Sequence, residues 1–224
     1  MQFKNKFLSV VALGNFNPAI LTPDFLEKIC QLNLGPITEW KVPPQQARIM
    51  SNIIYERIEL LVDFDRFQVM EKEVDNLKDV RLTEIFGEYI KKLPYTPLIA
   101  VGINFNFSLV PSEEETINFD PLFNADPDQL LHLVDSPELS FEKKGYYVRG
   151  TVVPNKLNIT YPLAEERKIS VNFTFGTTSG LNFNYEIGGL RENPLKSLAI
   201  IQEYSNILDI LEKAEKRILE RILA

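Results

Sequence analysis

The sequence predicts an α+β protein with a pseudo-duplicated β-α-β(n)-α plan and an extended antiparallel sheet that carries helices on one face. The first observation is that a strand, a helix, several strands and a closing helix can be traced from Phe7 and again from Pro97. The second is that most strand-like runs follow one another directly, as in antiparallel sheets. The 224 residues also fit two joined halves. We expect an N-terminal half at residues 1–94 and a C-terminal half at residues 95–224, sharing one sheet.

The first half has well-marked element boundaries. An apolar run at Phe7–Leu13 predicts a buried strand. Thr22 is a good N-cap residue before Pro23, and it predicts a helix that ends near Gly35. Apolar residues three and four apart predict a second helix at Asp75–Leu93. The strands predicted between these helices are Ile37–Val42, Ala47–Tyr55, Ile58–Asp63 and Phe67–Glu71.

The second half contains the clearest strand of the chain. From Leu98 to Leu109, large apolar residues alternate with small or polar ones, which indicates one buried face. A short helix is predicted to open at Asp126, and a last helix to run without a break from Asn193 to the C-terminus. The remaining predicted strands are Leu139–Glu142, Tyr146–Val153, Leu157–Tyr161, Lys168–Phe175 and Leu181–Ile187. The predicted core includes Phe105, Phe173, Phe175, Phe183 and Tyr185.

The predicted order of elements, β-α-β-β-β-β-α given twice, resembles the saddle fold of the TATA-binding protein family in its topology. An alternative is a helix-grip fold of the Bet v 1 type, in which one long C-terminal helix lies across a curved sheet and encloses a ligand cavity. That fold explains the last helix, but it leaves the helix at Asp75–Leu93 without a place.

Three short strings resemble an uncharacterised family of bacterial conserved hypothetical proteins. They are N-F-N-P-A-I at Asn15–Ile20, D-R-F-Q-V at Asp65–Val69, and T-P-x4-G-I-N at Thr96–Asn104. The resemblance spans most of the chain and implies a bacterial source, but it implies no activity.

Composition excludes several classes of protein. A net charge of −7 and a pI near 5.0 make nucleic acid an unlikely partner, because such binding needs clustered Lys and Arg. No run of 18 apolar residues is present, so we expect no membrane span. The single cysteine, Cys30, suits a cytoplasmic protein and is interpreted as a small buried hydrophobe.

Residues suited to catalysis are few. His132 is the only histidine, and its apolar neighbours favour a structural role. One His and one Cys cannot build a Cys/His zinc site. Asp63 and Asp65 could bind a divalent metal if a strand continued through them, but Asp also favours turns. We expect a turn there, no metal and no cofactor.

The polar side of the predicted sheet is rich in asparagine, a residue depleted in strands. Amides donate and accept hydrogen bonds, so this side is either a binding surface or an ordinary solvated face. The candidate binding residues are Asn104, Asn106, Arg149, Asn158, Asn172, Asn182 and Asn184.

The last helix carries an apolar stripe at helical spacing. The stripe either packs within the monomer or forms a contact with a partner or a second copy of the chain. The candidate interface residues are Leu211, Ile218, Leu219 and Ile222.

These observations favour a noncatalytic interaction or adaptor module of the bacterial cytoplasm, with a protein partner or a homodimer. Two alternatives stay open: a helix-grip carrier or enzyme for a small ligand, and a carboxylate enzyme that uses a divalent metal. A closed apolar cavity would favour the first, and a cation between Asp63 and Asp65 the second.

Overall fold

The structure, a computed structural model, describes residues 2–41, 49–110, 120–123, 132–134, 147–149, 156–174 and 179–223. Ten strands in these ranges form an antiparallel sheet, and the helices complete an α+β fold, which confirms the predicted class. The strands are β1 (Gln2–Gly14), β2 (Ile37–Lys41), β3 (Met50–Tyr55), β4 (Ile58–Asp63), β5 (Arg66–Lys72), β6 (Leu98–Val110), β7 (Tyr147–Arg149), β8 (Lys156–Pro162), β9 (Arg167–Thr174) and β10 (Gly180–Ile187). Their order in the sheet is β2-β3-β4-β5-β1-β6-β10-β9-β8-β7.

The helical elements are short except for two. The helices are α1 (Leu82–Lys92), α2 (Asp120–Phe123), α3 (Ala199–Gln202) and α4 (Tyr204–Ile222). Two 3-10 turns lie at Pro18–Ile20 and Pro194–Leu198, and a π-helical turn lies at Phe25–Ile29. None of the helices in the described ranges is long and apolar enough to cross a bilayer. The strand predicted at Leu139–Glu142 and the helix opening predicted at Asp126 lie outside the described residues.

Three predicted helices differ from the observed ones. Thr22 does cap its helix, since its Oγ1 accepts from the Phe25 N–H at 3.1 Å, but the chain continues only as a π-helical turn. Gln31 then takes a left-handed φ of 58°, which ends the turn. The second helix begins at Leu82 and not at Asp75, because Asn76 Oδ1 accepts from the Lys78 N–H at 3.0 Å and holds the chain before the helix in a turn. The last helix is interrupted at Glu203.

The chain divides into two compact units, each made of separate segments of sequence. The α1 unit comprises Phe7–Asn104 and Glu186–Glu203. The α4 unit comprises Met1–Lys6, Phe105–Tyr185 and Tyr204–Ala224. The interruption at Glu203 therefore coincides with a unit boundary.

An aromatic stack forms the centre of the α1 unit. The ring of Phe67, on β5, stacks on Tyr89 of α1 with centroids 3.9 Å apart, and Phe86 lies 6.0 Å from Phe67. All three side chains are fully or almost fully buried, and this burial raises the pKa of the Tyr89 phenol. Gly87 lies on the same helix, where a Cβ atom would stand only 2.6 Å from Cδ1 of Ile201. The missing side chain therefore permits the close contact with Ile201.

A carboxylate from the sheet caps helix α1. Glu71, on β5, is only 5% exposed, and its Oε2 accepts from the backbone N–H groups of Arg81 at 2.8 Å and Leu82 at 3.2 Å. These donors have no acceptor within the helix, and a negative charge is favourable at a helix N-terminus. The Arg81 guanidinium donates to the Asn33 carbonyl at 2.8 Å. This bond ties the loop between the π-helical turn and β2 to the N-terminal end of α1.

The core face of the α4 unit agrees with the predicted alternation. Phe105 and Phe183 are buried and meet edge to face with centroids 6.1 Å apart, and Tyr204 of α4 stacks on Phe105 at 6.2 Å. Phe173 and Tyr185 are also buried, which confirms these predicted core residues. The predicted core residue Phe175 lies outside the described residues.

Helix α4 buries a carboxylate. Glu215 has a buried Oε1 that accepts no hydrogen bond from the described residues. Its burial, with a smaller contribution from the charge of Glu212, raises the pKa of the Glu215 carboxyl to about 7.

The first prediction concerns the cap of α1. Glu71→Ala leaves two buried N–H donors without an acceptor, so we expect a loss of about 1–3 kcal/mol in the free energy of unfolding. Glu71→Gln keeps one acceptor oxygen and should lose less. Urea unfolding followed by far-UV circular dichroism measures both. The exposed Glu56→Ala is the control, with an expected change within about 0.5 kcal/mol. An equal effect of Glu71→Ala and Glu56→Ala would contradict the capping role.

The second prediction concerns Glu215 and pH. The unfolded chain releases this proton near the ordinary glutamate pKa of 4.5, whereas the folded protein holds it to about pH 7. The contribution of Glu215 to stability is therefore complete below about pH 4.5 and is lost as the pH rises to about 7. Glu215→Gln should match the wild type at pH 4 and exceed it by about 1–3 kcal/mol at pH 8. Urea unfolding at each pH tests this, and the exposed Glu220→Gln should show no such divergence.

Candidate functional site on the polar face of the sheet

Three asparagines are hydrogen-bonded to one another across neighbouring strands of the α4 unit. The Nδ2 of Asn172 on β9 donates to Oδ1 of Asn182 on β10 at 3.2 Å. The Nδ2 of Asn182 donates in turn to Oδ1 of Asn106 on β6 at 2.9 Å. All three side chains are half-buried and lie opposite the apolar face. We call Asn106, Asn172 and Asn182 the amide row.

The amide row keeps hydrogen-bonding capacity at both ends. Each amide offers two donor hydrogens and one acceptor oxygen, and the two bonds within the row use only part of that capacity. At one end, Asn106 Nδ2 donates to no described residue; at the other, Asn172 Oδ1 accepts from none. The row can therefore bind a partner that presents both acceptors and donors.

Backbone register continues the position of the amide row onto two more strands. Asn158 on β8 is the register partner of Asn172, and Arg149 on β7 is the register partner of Asn158. Asn158 is half-buried and makes no side-chain hydrogen bond within the described residues. Beside it on β8, the hydroxyl of Thr160 lies 3.3 Å from that of Ser170. The side chains described next to the amide row are therefore neutral hydrogen-bonding groups.

The other two candidate asparagines are also half-buried. Asn184 follows Asn182 by two residues on β10, and Asn104 precedes Asn106 by two on β6. Alternation places each on the same side of its strand as its row neighbour. The structure thus brings Asn106, Asn172 and Asn182 into direct contact, with Asn158 adjacent in register.

A second polar cluster, in the α1 unit, is not apparent in the sequence. Lys72 Nζ donates to Glu59 Oε2 at 2.8 Å, and Asn52 Nδ2 donates to Glu59 Oε1 at 3.1 Å. Burial alone would raise the pKa of the Glu59 carboxyl, but the hydrogen bonds from Lys72 and Asn52 hold that pKa below its usual value. The three residues come from three strands, so only the strand order could have predicted the cluster.

The candidate interface residues of the last helix lie mostly inside the chain. Leu211, Ile218 and Ile222 are at most 1% exposed, and Leu219 is partly exposed. Ile218 and Ile222 line the same small cavity as Leu122 and Phe173. The burial favours packing within the monomer over an exposed seam, because an exposed seam requires apolar side chains that reach solvent.

The remaining candidate residues have structural roles. Asp63 Oδ1 accepts from the Asp65 N–H at 3.0 Å and Asp63 Oδ2 from Arg66 at 3.0 Å, as in a turn.

Cys30 is 2% exposed, so it packs as a small buried hydrophobe, and burial raises the pKa of its thiol to about 11. His132 is exposed, and its carbonyl accepts from Arg217 at 2.7 Å. Within the described ranges, no group of three or more His, Cys, Asp or Glu could hold a metal ion.

No known protein family matches this chain, and no curated protein matches it either. What the site does must therefore follow from its own residues.

The third prediction concerns the stability of the amide row. Asn182→Ala removes two half-exposed hydrogen bonds, so we expect a loss of about 1–2 kcal/mol in the free energy of unfolding. Asn158→Ala is the matched control, because this asparagine lies on the same face without such a bond, and it should change stability by less than about 0.5 kcal/mol. Urea unfolding of both variants is the measurement. Equal losses would show that the row is not a coupled network.

Proposed function

We propose that the protein is a noncatalytic interaction or adaptor module of the bacterial cytoplasm, and that a protein partner docks on the amide row. The observation that carries the proposal is the pair of cross-strand hydrogen bonds that hold Asn106, Asn182 and Asn172 side by side, with amide groups at both ends that bond to no described residue. Asparagine is depleted in strands. Each of three adjacent strands carries an asparagine at this position, and the strand propensity of each is lower for it.

The chemistry of the amide row favours a protein or peptide over nucleic acid. Neutral amides match the N–H and C=O groups of a polypeptide, each of which needs a partner when it is buried. Nucleic acid binding draws most of its energy from contacts between cations and phosphates, and the chain carries a net charge of −7.

A second copy of the chain is an alternative form of protein partner. In a homodimer with two-fold symmetry, the same patch would meet itself, and an amide row can do so because amides are self-complementary. This alternative needs no exposed apolar stripe on α4.

The helix-grip alternative, with a ligand cavity between the last helix and the sheet, and the metal alternative receive less support. The cavity lined by Leu109, Phe173, Ile218 and Ile222 holds only about 10 Å³, whereas ligand pockets are usually some 300–1,000 Å³. Asp63 uses both carboxylate oxygens within its own turn, so its metal-ligating groups are engaged.

We further propose that the chain is an internal duplication at the level of topology. From β1 the sheet continues outward through β5, β4, β3 and β2, and from β6 through β10, β9, β8 and β7, which is the same order twice. The resemblance to uncharacterised bacterial proteins is a proposal that implies no activity.

The fourth prediction tests the docking surface. Wild-type protein, Asn182→Ala and Gln202→Ala are immobilised side by side, and a protein recovered by the wild type is purified and titrated by calorimetry. We expect Asn182→Ala to bind at least about ten-fold more weakly, because it removes the central amide and misaligns its neighbours. Gln202→Ala, which removes an exposed amide from α3, should bind as the wild type does.

Sedimentation of the same three proteins tests the homodimer. A wild-type dimer that becomes a monomer in Asn182→Ala would identify the chain itself as the partner. If Asn182→Ala retains both its partners and its mass in solution, the amide row is not the docking surface.

A further inference from the structure

A cleft of about 430 Å³ opens on the α1 unit. It lies between the π-helical turn, the loop that follows it, and the ends of β2 and β3. Its walls include Glu27, Gln31 and Asn33, with Ile37 and Tyr55. The volume lies within the range of small-molecule sites, which is roughly 300–1,000 Å³.

The wall of the cleft has an uncommon backbone that is held in place. The π-helical turn at Phe25–Ile29 is followed by Gln31 with a left-handed φ of 58°. Both features are unfavourable in an ordinary chain and occur often at functional sites. The Asn33 carbonyl accepts from Arg81 at 2.8 Å, and its Oδ1 accepts from the Gly35 N–H at 3.3 Å. The loop is therefore fixed before any ligand arrives.

The hydroxyl of Tyr55 is available to a ligand in this cleft. Tyr55 lines the cleft, and its hydroxyl bonds to no residue in the part of the chain that the structure describes. The residue as a whole is only 6% exposed, but its hydroxyl oxygen keeps contact with solvent, so it can bond to a group that enters the cleft. Burial of the side chain, followed by the charge of Glu27, raises the pKa of the Tyr55 phenol.

The carboxylate of Glu27 is also available. Lys28, its neighbour in sequence, is bound to Asp24 instead, with Nζ and Oδ2 2.8 Å apart. Among the described residues no cation pairs with Glu27. The cleft thus combines one unpaired negative charge, one unpaired hydroxyl and the apolar side chains of Leu34 and Ile37.

We propose that this cleft binds an organic cation, a guanidinium or ammonium group on a short aliphatic stem. Glu27 supplies the opposite charge, the Tyr55 hydroxyl accepts a hydrogen bond from the cation, and the stem lies against Leu34 and Ile37. Charge-assisted bonds of this kind are about twice as strong as neutral ones. The ligand could be a free amine or the side chain of an arginine in a protein.

The fifth prediction tests the cleft with defined probes. Agmatine and the peptide acetyl-Gly-Arg-Gly-amide are titrated into ¹⁵N-labelled protein at low salt, with butyrate as the anionic probe. We expect shifts at Gln31 and Gly35 with a Kd of about 0.1–1 mM for agmatine, as suits a ligand of its size. Butyrate should give none. Tighter binding of agmatine would indicate a free amine as the natural ligand, and tighter binding of the peptide an arginine side chain.

Matched variants separate a built site from general attraction to an acidic protein. Glu27→Gln should weaken agmatine binding at least about ten-fold. Glu192→Gln removes an equal charge from an exposed position of the same unit that does not line the cleft, and it should leave binding unchanged. Tyr55→Phe should weaken binding about three-fold or more without lowering thermal stability, because its hydroxyl has no partner to lose. Absence of shifts up to 20 mM agmatine, or equal losses in Glu27→Gln and Glu192→Gln, would overturn the proposal.

Discussion

The burial of one face of the sheet is the constraint on which the other features depend. Successive side chains of a strand point to opposite faces, so burying one face fixes the chemistry of every second residue. Along β10 the buried Phe183 commits Asn182 and Asn184 to the other face. A slip of one residue would exchange the two sets, which the apolar core forbids. The register of the amide row is therefore held by the core beneath it.

The same logic positions α1 on its strand. Phe67 and Glu71 are four residues apart on β5, a span of about 13 Å, and both point to the buried face. Leu82 and Tyr89 are seven residues apart on α1, a rise of about 10 Å. The two spans are close enough for Phe67 to meet Tyr89 while Glu71 meets the N–H of Leu82. One strand face thus sets both the depth of the helix and the place where it begins.

Local patterns predicted most of the strands, but contacts distant in sequence were not predictable. The strand at Ile58–Asp63 agrees residue for residue, because its alternation and its flanking turns are local signals. The sequence pattern predicts that α1 starts at Asp75, which is too early, because the carboxylate that caps the helix belongs to Glu71 on β5, a separate element. Alternation also indicated which asparagines share a face, but their bonding depends on the strand order. For the stripe of α4, periodicity shows an apolar side without showing what covers it.

Stability alone does not explain the residues at the two proposed sites. Thr or Val at Asn172 and Asn182 would suit strands better, and the two amide bonds only partly offset that cost because they are half-exposed. At the cleft, phenylalanine would fill the place of Tyr55, whose hydroxyl bonds to no described residue. In both cases the residue present retains hydrogen-bonding capacity that the fold does not use. Unused capacity of this kind is what binding requires, with neutral groups at one site and a carboxylate at the other.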